Sequence, residues 1–238
     1  MLATRIIPTI LMDKGQLVKG VGFKADRVVG NALQAARVHA MRGVDELVLL
    51  DVTATKEGRE PDYEMVRKLS NGCFAPLTVG GGIKTEDHVR KLLRAGADKV
   101  CVKTSWLEDM YSVKKLADQF GRQCITVSLD IRDSGYVRDY AHELAHAAEV
   151  TGAGEILLQS VERDGAMQGY DIDLIKVVSE AVSIPVIASG GCSGYEDMYN
   201  AIQAGASAVA AGALFQFTDN TPKGAAEYLS AKGVEVRL

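Results

Sequence analysis

The chain has 238 residues, 47% of them hydrophobic but only 6% aromatic, so Ala, Val, Ile and Leu must fill its core. Lys and Arg number 27 against 31 Asp and Glu, a formal net charge of −4, which argues against a nucleic-acid binder or a polybasic membrane binder. No apolar run approaches the ~20 residues of a membrane span, and the opening MLATRIIPTILMDKG is too short and too polar for a signal peptide, so a cytoplasmic protein is expected.

In chain order, short β-branched runs alternate with helical patterns. The runs are RIIPTIL (5–11), ELVLLDV (46–52), PLTVGG (76–81), KVCVKT (99–104), CITVSLDI (124–131), EILLQSV (155–161), PVIASGG (185–191) and AVAAGAL (208–214). Between them, stretches such as DYEMVRKLS, TEDHVRKLLRAGA, SVKKLADQFG, DYAHELAHAAEVTGAG, YEDMYNAIQAGA and KGAAEYLSAKG place apolar residues at i, i+3, i+4 spacing. They end in Gly or small residues, as helices do. Eight candidate strands alternating with helices predict an α/β chain, either a (β/α)8 barrel or a large doubly wound sheet, with no linker dividing residues 1–238. The four cysteines, Cys73, Cys101, Cys124 and Cys192, form no CxxC pair and read as free thiols.

An internal repeat separates the two folds. GVDELVLLDV (43–52) resembles GAGEILLQSV (152–161), APLTVGGGI (75–83) resembles IPVIASGGC (184–192), and RAGADKV (94–100) resembles QAGASAV (203–209). All three matches are 109 positions apart. Two similar four-strand halves close naturally into a TIM barrel with a two-fold half-barrel repeat, and give no reason for an open sheet.

In such barrels the chemistry sits at the C-terminal ends of the strands. Here those ends carry Leu11, Asp51, Gly80 to Gly82, Thr104, Asp130, Asp164 with Gly165, Gly190 with Gly191, and Gly212. GGGIKTED and SGGCSGYED are Gly-rich turns leading into helices, one per half, where backbone N–H groups and the helix dipole favour an anion. Two such cradles across a barrel mouth suit a substrate phosphorylated at both ends, whereas a single Gly pair would imply no more than a tight turn.

The blocks RII, LVKG, DELVLLDVTA, TVGGGI, GADKV, GAGEILL, RDG with GYD, IPVIASGG and the closing GVEVR cover nearly the whole chain. In them it resembles the HisF family, the cyclase subunit of imidazole glycerol phosphate synthase; the sister isomerase HisA shares the fold and both phosphate sites. The resemblance implies a (β/α)8 barrel docked on a HisH-type glutaminase. Ammonia from glutamine would cross the barrel to meet a bisphosphorylated ribulosyl-imidazole substrate, giving imidazole glycerol phosphate and an aminoimidazole nucleotide. It further implies an ammonia gate of Arg5, Glu46, Lys99 and Glu155 at the barrel bottom, with Asp98 at the glutaminase interface. Asp130 is implied as an acid/base group and Lys19 as a residue near the substrate. Phosphate and substrate contacts are implied at Asp51, Gly81, Gly82, Lys103, Thr104, Asp164, Gly165, Gly190, Gly191, Gly212 and Ala213. No cofactor and no metal are implied.

Three features depart from that pattern. Leu11 stands where the family has the second acid/base Asp; Asp13 shares its parity but is expected past the strand end. Lys103 stands where the family usually has Asn. The connection RDSGYVRDY after the fifth candidate strand is short: Leu11 and Glu46 are 35 residues apart, Asp130 and Glu155 only 25. HisF-like proteins with Leu at the first position serve surface-polysaccharide pathways, passing ammonia to a separate sugar amidotransferase, so an accessory channelling subunit is the alternative to a cyclase. Finally, HELAH (142–146) has the HExxH spacing of a zinc hydrolase, two ligands one helical turn apart with a Glu base. Its place on an exterior helix favours an ordinary surface helix with exposed histidines. Tyr63, Trp106 and Tyr170 are assigned no role beyond packing.

Overall fold

The structure, a computed structural model, describes residues 3–72, 74–133 and 136–238. The sequence expectations for Cys73, for the first two residues and for Ser134 and Gly135 of the RDSGYVRDY connection lie outside them.

Eight parallel strands close on themselves: β1 (Arg5–Asp13), β4 (Leu47–Asp51), β5 (Leu77–Gly80), β6 (Lys99–Val102), β7 (Ile125–Ile131), β8 (Glu155–Ser160), β9 (Val186–Ser189) and β10 (Ala208–Ala211), with β10 pairing back onto β1. The seam is in register from Arg5 opposite Ala208 to Pro8 opposite Ala211. Pro8 fits a strand here despite its missing N–H, which removes one donor from the ladder. The surrounding helices are α1 (Ala32–Met41), α2 (Tyr63–Ser70), α3 (Glu86–Ala95), the short α4 (Thr104–Glu108) with α5 (Met110–Phe120), α6 (Tyr136–Asp139) with α7 (Ala141–Val150), α8 (Ile172–Ala181), α9 (Tyr195–Gln203), and α10 (Ala213–Phe217) with α11 (Pro222–Ala231). Local chemistry sets their ends. Asn31, Asp62, Thr85, Asp171 and Thr221 cap helix N-termini through their side chains, and Gly96, at φ 106°, ends α3.

Strand periodicity divides the core in two. Along β1 the side chains of Ile6, Ile10 and Met12 face the helices and join the large outer core, while Ile7 faces the lumen. The lumen is a separate small cluster of Ile7, Val48, Cys101, Leu157, Ile187, Ala208 and Ala210, with Leu50 packed on it. Small residues on β10 keep this inner layer thin, as the aromatic-poor composition requires.

Among the described residues there are ten strands rather than the expected eight. β2 (Gln16–Val21) and β3 (Lys24–Asn31) form an antiparallel hairpin that continues β1. Its turns are two-residue turns with positive φ at both positions, Lys14–Gly15 (48°, 81°) and Gly22–Phe23 (62°, 63°), the geometry that matches the twist of paired strands. The hairpin explains why the repeat offset is 119 at Leu11 and Asp130 but 109 at Glu46 and Glu155: it is the extra segment of the first half. It also corrects the placement of Asp13, which lies within β1 rather than beyond it. The repeat is otherwise visible in backbone detail. Gly81 and Gly190, repeat mates at φ 106° and 90°, sit so close to the carbonyls of Asp51 and Ser160, also repeat mates, that a Cβ at either would collide with that oxygen.

Candidate active site

Inward parity along β1 gives Arg5, Ile7, Thr9 and Leu11 in order from barrel bottom to top, and the C-terminal strand ends open into a cavity of about 260 Å³. Its lining includes Leu11, Asp51, Gly80 to Gly82, Cys101, Lys103, Thr104, Ser128, Asp130, Gln159 and Asp164, with Phe23 and Lys24 from the hairpin. The sequence-derived residues of the first half therefore meet at one place. Asp130, on β7, is almost buried: Ser128 donates to its Oδ1 at 2.8 Å and the Lys103 ammonium lies 2.5 Å from its Oδ2. Lys103 thus points at the carboxylate. Leu11, half-buried on β1, presents only methyl groups to the same space.

A second recess of about 20 Å³ adjoins it, lined by Thr9, Leu11, Lys19, Gln159, Asp164, Gly165, Ser189 to Cys192 and Ala210 to Ala213. The β2 strand delivers Lys19 here. Lys19 is buried, only 6% exposed, and its ammonium makes a long hydrogen bond, 3.4 Å, to the Thr9 carbonyl. A Cβ on Gly212 would fall on the Lys19 ammonium, so any other residue at the end of β10 would displace that cation from its present position. Burial lowers the Lys19 pKa to about 8, against the partial support of Asp164. Asp164 is itself pushed up by burial and by Asp130, with Lys19 opposing. Gly22 N–H bonds the Asp164 carbonyl at 3.0 Å, and a Cβ on Gly165 would strike the Gly20 carbonyl, so the hairpin is docked on this loop.

The unfolded chain titrates Lys19 near 10.5 and the folded chain near 8, so between those values the unfolded state binds more protons and stability rises with pH. At pH 7 the buried charge costs on the order of 3 kcal/mol. Lys19→Met should stabilise the ligand-free chain at pH 7 by up to about that amount. It should also remove a rise in urea-unfolding free energy between pH 8 and 10 that the unaltered chain shows. Parallel pH curves for the two proteins would contradict the burial argument.

At the opposite end of the barrel the four gate candidates close a ring. Arg5 Nη1 and Nη2 lie 2.5 Å and 2.9 Å from Glu46 Oε2 and Glu155 Oε2, and Lys99 Nζ lies 2.9 Å and 2.8 Å from Glu46 Oε2 and Glu155 Oε1. Thr78 and Thr126 each donate a further hydrogen bond, to Glu46 at 2.6 Å and Glu155 at 2.9 Å. Burial disfavours the charges on Arg5 and Glu155, but the opposite charges around the ring outweigh it: the Arg5 pKa is raised and the Glu155 pKa lowered. The lumen cluster lies between this ring and the cavity. Asp98 is exposed at the same rim, its carboxylate accepting from Leu77 N–H at 2.8 Å.

Some candidates have different surroundings from those the sequence suggested. Asp51 is held by Arg59 through two hydrogen bonds of 2.9 Å and 3.1 Å and accepts from the N–H groups of Thr53 and Ala54, so it organises the loop after β4. Asp13 accepts from the Thr53 hydroxyl at 2.6 Å in the same cluster, and does not line the cavity. Gly82 and Gly191 have positive φ, and a Cβ on either would meet the carbonyl of Arg59 or Gly169. Their Val variants would therefore disturb the fold before any ligand, and do not isolate phosphate binding. The Gly82 N–H already donates to the Thr55 hydroxyl at 3.2 Å. Arg59, Ser128, Thr78 and Thr126 were not anticipated; the threonines were readable as the inward-facing residues of β5 and β7.

The HELAH histidines are both exposed on α7, whose buried face is Ala141, Ala145 and Ala148. Among the described residues no three His, Cys, Asp or Glu side chains gather as a metal would need. His142→Ala should change unfolding stability by no more than about 0.5 kcal/mol, and the purified chain should hold less than stoichiometric zinc. One tightly bound zinc per chain, lost in that variant, would reverse this. Cys101, Cys124 and Cys192 are free thiols, and burial pushes Cys101 well up and Cys192 to about 12. Among the described residues no helix is long and apolar enough to cross a membrane.

Residues 5–221 match the family model described as histidine biosynthesis protein. The chain is 43% identical over 249 residues to the imidazole glycerol phosphate synthase subunit HisF of Streptomyces avermitilis, covering 99% of both chains. It is 41% identical over 252 residues to the subunit of the same name from Dictyoglomus thermophilum, and 42% identical over 248 residues to a Campylobacter jejuni hisF2 protein, covering all of both chains in each case. A closed parallel barrel with a two-fold repeat, together with this full-length similarity, places the chain in the histidine biosynthesis protein family, among the HisF subunits of imidazole glycerol phosphate synthase.

Proposed function

We propose that the chain binds a bisphosphorylated ribulosyl-imidazole compound across the barrel mouth and joins it with ammonia that a HisH-type glutaminase releases beneath the barrel. The observation that carries this reading is the closed ring of Arg5, Glu46, Lys99 and Glu155 set under an apolar lumen, with Asp130 at the lumen's other end. Buried ion networks are poor stabilisers, because desolvation offsets most of their Coulomb gain; control of passage is a better reason for four such residues than stability. Ammonia, small and uncharged in its reactive form, suits an apolar route that excludes ammonium.

One substrate phosphate would take the Gly81–Gly82 turn with Thr104. The other would take Gly190, Gly191, Gly212 and Ala213, with the buried Lys19 supplying the charge and Asp164 and Gly165 closing that side. Asp98 would face the glutaminase. The products are imidazole glycerol phosphate and an aminoimidazole nucleotide. The test is steady-state turnover of the bisphosphorylated substrate by the purified chain with excess ammonium at mildly alkaline pH, which bypasses the partner. Measurable formation of both products, slower than a cyclase with two acid/base carboxylates, supports the reading; its absence favours the second one.

The second reading rests on Leu11. With an apolar group at the position opposite Asp130, the chain would be an accessory subunit that passes ammonia to a separate sugar amidotransferase in surface-polysaccharide synthesis, with little chemistry of its own. Genes for a sugar amidotransferase beside this one would favour it; histidine genes would favour the cyclase.

A further inference from the structure

The mouth of the barrel holds a cation–carboxylate contact in place of two facing carboxylates. Asp130 receives the Ser128 hydroxyl on one oxygen and the Lys103 ammonium, at 2.5 Å, on the other. Both oxygens act as acceptors, which places Asp130 to take a proton. Leu11, its repeat mate, has no proton to give. Among the described residues Lys103 is the cation paired with Asp130. Of the other carboxylates and lysines on this cavity, Asp51 is bound by Arg59, Asp164 is buried and interacts with Lys19 as well as with Asp130, Lys24 opens β3 of the hairpin, and Lys56 comes from the loop after β4.

We propose that Lys103 is the general acid of this site, paired with Asp130 as the base. The inference deepens the ammonia reaction proposed above and rests on it. Ammonia adds through its lone pair to the keto carbon, and the π pair of the carbonyl moves to oxygen. That oxygen takes a proton from the Lys103 ammonium, while the newly bound nitrogen gives one to Asp130. The carbinolamine is left facing a neutral amine and a neutral carboxyl group in contact, and the proton then passes from Asp130 to Lys103, restoring the ion pair. No further reactant is needed. An ammonium group is an intrinsically weaker acid than a carboxylic acid, with ordinary pKa values of about 10.4 against 3.9, so the pair works, but more slowly than two carboxylates.

The test is kcat and KM of the full chain with excess ammonium and the bisphosphorylated substrate. Lys103→Arg keeps the charge and the hydrogen bond to Asp130 but has no proton to release at working pH; Lys103→Met removes both. Both variants should lose roughly 10²-fold or more in kcat. KM should stay within about threefold; the Lys103→Arg melting curve should stay close to that of the unaltered chain, while Lys103→Met, which leaves the nearly buried Asp130 without its cation, should melt lower but remain folded. Leu11→Asp added to Lys103→Met should recover at least about tenfold, because it returns an acid to the facing position. A Lys103→Arg enzyme with kcat near the unaltered value would overturn the inference and leave Lys103 as a charge alone. A large rise in KM at constant kcat would also overturn it, assigning Lys103 to substrate phosphate. No turnover by the unaltered chain would overturn both the inference and the reading beneath it.

Discussion

Replacing Leu11 by aspartate should raise the ammonia-driven kcat roughly tenfold to a hundredfold. Position 11 lies on the inner face of β1 and lines both the cavity and the adjoining recess, so a carboxylate there would stand opposite Asp130, the arrangement the repeat dictates. Two carboxylates facing each other across one cavity disfavour each other's ionised form, which lets one act as acid and the other as base. Such groups supply typically 10²–10⁴-fold in rate; the expected gain sits at the low end because Lys103 already provides part of it. Leu11 is only half-buried, so the lost apolar contact should cost on the order of 1–2 kcal/mol of stability and leave the fold intact. An unchanged or lower kcat in a folded variant would show that position 11 is not where the missing proton donor belongs.

Removing one member of the bottom ring should have an equally large effect, on stability and on coupling separately. Glu155→Ala leaves Arg5 and Lys99 half-buried with one counter-ion between them, and Thr126 without an acceptor. A fully buried pair broken in this way costs about 3–5 kcal/mol; the partial exposure of both cations reduces that to roughly 2–3 kcal/mol. The Glu155 pKa lies below its ordinary value of 4.5. Its stabilisation is therefore fully present above that pH and is lost as pH falls through the folded value. Glu155→Gln should accordingly blunt acid denaturation as well as lower stability at pH 7. Arg5→Ala, at the more exposed cation, separates function from folding: glutamine-driven product formation should fall relative to the ammonia-driven reaction while glutamine hydrolysis continues. Equal loss in both reactions would leave the ring as a structural element.

The barrel was legible because its repeat is carried by backbone needs. Gly81 and Gly190, or Gly96 and Gly205, recur at a fixed spacing since each occupies a conformation that L residues resist. The β2–β3 hairpin was not legible: its strands are short and mixed in polarity, and its signals are Gly15 and Gly22 beside Lys and Phe, weaker than an Asn-Gly pair. The charged ring was readable only through family resemblance, because strand-end charges are ordinary on any barrel and nothing in their spacing says that four of them meet. The Lys103–Asp130 contact joins the ends of two adjacent strands 27 positions apart, and the Asp51–Arg59 pair lies in a loop without periodicity. Side-chain direction there follows from the closed fold, not from local pattern.

The most direct test of the account is where the nitrogen in the product comes from. The chain is combined with a HisH-type glutaminase, glutamine labelled with ¹⁵N in its amide, the bisphosphorylated substrate, and a large excess of unlabelled ammonium. Ammonia that travels from the ring through the lumen to Asp130 predicts product whose new nitrogen remains mostly labelled, and Arg5→Ala predicts that the label is diluted. Product labelled only to the proportion of free ammonium in solution, in the unaltered pair, would contradict passage through this barrel.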